Sequence, residues 1–133
     1  MFRASLALAG TTAVVAAIDV VHKATAQADY FHDRSSAYVV IVVALAAAWA
    51  GAILATGSLS MALGGGVLAG GAVGNLVSLA LWPGVPNPIE LDTIVFNLAD
   101  VFVLSGFLFT VAAALVFALR NRERLGEPVR LAR

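Results

Sequence analysis

The chain has 133 residues, of which 61% are hydrophobic and only 12% charged. An ordinary soluble domain is about 45–50% apolar, so the composition excludes that class and predicts an all-α integral membrane protein. A formal net charge of zero gives no ground for nucleic-acid binding, and the absence of cysteine excludes disulfides, thiolate chemistry, palmitoylation and lipoprotein-type N-terminal acylation.

A spanning helix needs about 20 mostly apolar residues. In chain order the segments 4–21, 37–56, 59–82 and 94–119 qualify. They use most of the chain and predict a single four-helix membrane domain over 1–133, with short extracytoplasmic loops and a basic cytoplasmic tail over 120–133. Arg3 precedes the first span, and Arg120, Arg122, Arg124, Arg130 and Arg133 follow the fourth. The positive-inside rule then places both termini in the cytoplasm. The outward loops carry Asp29, Asp33, Glu90 and Asp92 against Lys23 and Arg34. The arginine-rich tail reads as a topology anchor that contacts anionic membrane lipids.

In the first span, Arg3, the apolar stretch and Ala24-Thr25-Ala26 have the outline of a secretory signal. Asp19, His22 and Lys23 interrupt that outline where such a signal is small and uncharged, and so predict a retained helix. Asp19 and Lys23 stand one turn apart with the acid first, the better order for a helical ion pair. As structure alone, the pair would end the helix at the outer interface with Lys23 snorkelling to water. His22 and His32 have no companion cluster at ligand spacing, so neither a metal nor any other cofactor is predicted.

The third span is glycine-rich. Gly66, Gly70 and Gly74 recur every four positions, a small-residue stripe that lets a helix of this chain or of a second copy approach closely. Helix-mediated self-association is therefore an expectation. Asn75 must find partners at its depth, and Asn97 offers a matching amide. Asp100, at the mouth of the fourth span, is read as a functional residue first, because a carboxylate inside a membrane helix costs about 2.5–3.5 kcal/mol on insertion scales. Span three runs outward and span four inward. Asn75, Asn97 and Asp100 are thus expected to share a polar pocket at the outer face, lined also by Asp19 and Lys23.

The strings Asp19-Val20-Val21-His22-Lys23, Gly70-Gly71-Ala72-Val73-Gly74-Asn75 and Phe96-Asn97-Leu98-Ala99-Asp100, in that order on these helices, resemble the bacterial lipoprotein signal peptidases (signal peptidase II). The resemblance covers nearly the whole chain. It implies an intramembrane aspartic endopeptidase of the bacterial cytoplasmic membrane, which removes the prolipoprotein signal peptide just before a lipid-modified cysteine. In that chemistry two carboxylates share one proton, one activating water while the other hydrogen-bonds the scissile carbonyl. Asp100 matches one catalytic member. The segment matching the other reads Gly84-Val85-Pro86-Asn87-Pro88-Ile89, so Asn87 stands where the second Asp would be. Ser78 and Leu79 replace an Asp-Arg pair, and Asp33-Arg34-Ser35-Ser36-Ala37-Tyr38 keeps only the last two residues of a substrate-contacting Asn-x-Gly-Ala-Ala-aromatic string.

The departures leave two readings. In one, Asp33, Glu90 or Asp92 supplies the second carboxylate and Arg34 the lost arginine, with Asp19, Lys23, Asn75, Ser78 and Asn97 supporting the site. In the other, the chain is catalytically degenerate and binds precursors or lipid. A reading of another class is a small dimeric proton-coupled exporter, with Asp100 alternating between proton and cationic substrate and with Tyr38, Trp49 and Trp82 as a drug-binding wall. An exporter needs its acid near the bilayer midplane, whereas Asp100 is expected one to two turns from the start of its span.

Overall fold

The computed structural model describes residues 1–122. Four helices are long and apolar enough to cross a bilayer: α1 (Phe2–Thr25), α2 (Ser36–Thr56), α3 (Leu59–Leu81) and α4 (Leu98–Arg120). Arg124, Arg130 and Arg133 of the expected basic tail lie outside the described residues.

Helix ends follow from local capping chemistry. The Ser35 side chain accepts a hydrogen bond from the Tyr38 amide at the start of α2. Gly57 ends that helix in the left-handed region, φ 65°, which glycine enters without steric cost. Ser58 then caps α3 at once, its side chain accepting from the Met61 amide. The link between α2 and α3 is therefore only Gly57-Ser58.

The fourth helix starts later than apolarity alone predicts. Residues 94–96 are β-branched or aromatic and form a strand, and the helix begins only after Asn97 caps it. The connections fold into short antiparallel pairs. β1 (Phe31–His32) pairs with β2 (Val85–Pro86), and β3 (Ile89–Leu91) with β4 (Ile94–Phe96). The β3–β4 turn has Asp92 at φ 53°, a conformation Asp tolerates better than most side chains. The last turns of α1 and α3, the first turns of α2 and α4, and all four strands gather at one end of the bundle.

The bundle is organised around α3. Its glycine stripe faces α1: a Cβ on Gly66 would lie 2.9 Å from the Leu8 carbonyl oxygen, one on Gly70 2.9 Å from that of Thr12, and one on Gly74 would run into the Asp19 carboxylate. A second set faces α4, where Gly71 approaches the Ala99 carbonyl and Gly106 approaches the Leu68 backbone. The Gly66-Gly70-Gly74 stripe is therefore occupied within the chain, so self-association of copies would need another face. In a bilayer, where lipid is as apolar as leucine, such close backbone contact is a main source of helix adhesion. At the end away from the strands, Ala4, Leu8, Ile53, Met61 and Ala62 form the buried apolar core.

Gly70→Val is accordingly expected to cost at least the 1–3 kcal/mol typical of overpacking (order of magnitude), since its opposing atom includes backbone. Gly10→Ala and Gly51→Ala, where a Cβ meets nothing within 4 Å, should be neutral. Thermal unfolding of the three variants in one detergent would check the contrast.

Helix α2 stands apart. Ile53 is its only fully buried residue among those described, and an open cleft runs between it and the α3–α4 pair.

Candidate functional site: a buried polar network at the strand end

The deepest charge is Asp19, on the penultimate turn of α1, with no exposed surface. Its Oδ2 accepts from Lys23 Nζ at 2.7 Å, and its Oδ1 accepts from the Ala99 amide at 2.8 Å. That amide belongs to the first turn of α4, one of the donors a helix cannot satisfy internally. Asp19 therefore caps another helix, with its negative charge at the favourable end of the α4 dipole. Gly74 admits the carboxylate, because a side chain there would displace it.

Lys23 is 3% exposed and turned inward rather than snorkelling. Besides Asp19, it donates to Asn75 Oδ1 at 2.7 Å and to Ser78 Oγ at 3.0 Å, so three acceptors meet its three protons. Ser78 passes its own proton to the Gly74 carbonyl at 2.7 Å. These acceptors replace water, which explains why the long side chain stays in.

Asp100 sits at the third position of α4, exposed, in the first helical turn rather than deeper. Its Oδ2 accepts from the Asn97 amide at 3.1 Å while Asn97 Oδ1 accepts from the Asp100 amide at 3.2 Å, a reciprocal capping box. Its Oδ1 accepts a long bond, 3.4 Å, from Asn75 Nδ2. The burial cost expected for Asp100 is therefore carried by Asp19. Asn97, 1% exposed, donates through Nδ2 to Asn87 Oδ1 at 2.7 Å. Asn87, 4% exposed, hydrogen-bonds through its Nδ2 with His32 Nδ1.

The network thus joins Asp19, Lys23, Asn75, Ser78, Asn87, Asn97 and Asp100, and adds His32. The sequence offers His32 no role, since no companion cluster at ligand spacing accompanies it. No local signal could have placed it, because the contact arises from β1–β2 pairing between distant segments.

The acids of the connections stay outside. Asp33 is exposed, its Oδ1 3.3 Å from where a Cβ on Gly84 would stand. Glu90 is exposed on β3, and Asp92 serves the β3–β4 turn. Among the described residues, the hydrogen-bond partners of Asp100 are Asn75 and Asn97, not another carboxylate.

Beside the network opens the cleft, about 380 Å³, between α2 and the α3–α4 pair. Asn75 and Leu79 are at its wall, and Arg34 at its mouth lies 4.8 Å over the Tyr38 ring. Trp49 stacks on Phe107, ring centroids 5.9 Å apart, at the end away from the strands. From Tyr38 to Trp49 the cleft follows α2 for roughly 16 Å, at about 1.5 Å per residue. Tyr38 and Trp49 share this wall, but Trp82, at the C-cap of α3, does not, so the three-aromatic wall does not form.

No family model, curated protein or solved structure matches the chain.

Proposed function

We propose that this chain is a divergent relative of the lipoprotein signal peptidases which receives the signal helix of a lipid-modified precursor without cutting it. It would reside in the bacterial cytoplasmic membrane with both termini inside. Arg3, Arg120 and Arg122 at one end and the acid-bearing strands at the other support that orientation.

The observation that carries the reading is the company of Asp100. An aspartic mechanism needs two carboxylates near enough to share a proton, and Asp100 has amide partners. Asn87, at the expected second position, is buried with both halves of its amide engaged. The cleft supports the recognition half: it is apolar, open along α2, and ends beside Asn75 and Asp100. The exporter reading is less well supported, since Asp100 lies in the first turn of α4 and Asp19 is locked by Lys23 and Ala99.

One observation favours a second reading, a divergent endopeptidase. Asp33 lies against Gly84, just before the β2 strand that leads to Asn87, so an acid is present at the same rim. Mass-resolved cleavage of a lipid-modified prolipoprotein, with purified chain in a bilayer mimetic, separates the two. Binding without cleavage is expected from the native chain, and Asp100→Asn should leave binding within a few-fold. Cleavage before the lipidated cysteine that is lost in Asp100→Asn would establish the endopeptidase instead.

A further inference from the structure

The hydrogen bonds from α4 to β1 run in one direction, and that direction fixes a protonation state. The Asp100 backbone amide can only donate, so the Asn97 atom facing it is the carbonyl oxygen. The other half of Asn97 is then its NH₂, which donates to Asn87 and makes the facing atom of Asn87 its oxygen. Asn87 in turn presents an NH₂ to His32 Nδ1. That nitrogen must offer a lone pair, so the imidazole is neutral with its proton on Nε2.

We infer that His32 is a pH-sensitive latch on the site, closed when neutral and released when Nδ1 gains a proton. A proton on Nδ1 would face the protons of the Asn87 amide. Asn87 cannot turn over to accept it, because its NH₂ would then meet the NH₂ of Asn97. Asn97 cannot turn over either, because its oxygen is held by the Asp100 amide. Protonation therefore removes the bond between β1 and Asn87 and disturbs every bond behind it, back to the α4 cap that orients Asp100.

The surroundings leave His32 free to respond. It is exposed on β1, and the opposing strand offers only Val85 and Pro86, neither ionisable. Along its own segment lie Tyr30, Asp33 and Arg34, with the Asp33 carboxylate beside Gly84. From α4 comes Asp100, with Asn97 and Asn87 between it and the ring. The inference stands on bond direction alone and does not depend on what the cleft receives.

The test is a pH titration by nuclear magnetic resonance of the full chain in nanodiscs, with nitrogen-labelled histidine and His22 assigned through His22→Gln. At pH 8, His32 should show the Nε2–H tautomer. The amide resonances of Asn97 and Asp100 should shift together with its protonation, on one shared midpoint. In His32→Gln, whose side-chain oxygen can still accept from Asn87, that shared step should vanish. An Nδ1–H tautomer in the native chain at pH 8 would overturn the latch without need of any variant. So would the same step at Asn97 and Asp100 persisting in His32→Gln.

Discussion

Replacing Lys23 by leucine should destabilise the fold by about 3–5 kcal/mol, the usual cost of removing one partner from a buried ion pair. The leucine would leave the fully buried Asp19 carboxylate without its counter-charge and strip the Asn75 and Ser78 oxygens of their donor. The remaining Asp19 contact, the Ala99 amide, is a dipole rather than a charge. Adding Asp19→Asn to Lys23→Leu should recover more than half of the loss, since an asparagine oxygen can still cap Ala99 while the orphaned charge disappears. Denaturant unfolding in mixed micelles, followed by tryptophan fluorescence, would give both values. A loss below about 1 kcal/mol for Lys23→Leu would match an exposed ion pair and mean that Lys23 is hydrated in the folded protein.

Much of this arrangement could be read from the residues because membrane burial leaves few ways to satisfy polar groups. The apolar runs gave four helices with ends within a few residues of those observed, the end of α1 and the start of α4 each lying four residues further on than expected. At α4 the β-branched and aromatic triplet 94–96 pairs with β3 in a tight hairpin, a local choice that hydropathy does not register. The polar side chains of α1, α3 and α4 could be placed at one end because alternating helix direction fixes depth. What could not be read was which acid is buried. Asp19 and Asp100 both interrupt apolar segments, and only the Gly74 gap and the Ala99 amide put the first inside and leave the second at the rim. The glycine stripe was legible as a contact surface but not as to its partner, since periodicity says that something approaches closely and not that α1 does. His32 and the strand pairs depend on connections whose sequences carry no periodic signal.

Asn87→Asp should introduce cleavage if the chain is, as proposed, a receiver of the signal helix that does not cut. The substitution keeps the oxygen that accepts from Asn97 Nδ2 and replaces the NH₂ facing His32 by a second oxygen. His32 can meet that oxygen by carrying its proton on Nδ1, so the change fits without moving the backbone and should invert the tautomer of the native chain. Two carboxylates would then flank Asn97, one on each side, and hydrolysis requires that they close on each other until they share a proton. A positioned acid–base group contributes about 10²–10⁴-fold, so product before the lipidated cysteine should rise well above the native background. It should vanish again in Asn87→Asp combined with Asp100→Asn. The imidazole spectrum and the cleavage assay probe different halves of the argument. An inverted tautomer without product would place the defect away from the acids, at Leu79 or along the cleft, where the resemblance leads one to expect an arginine.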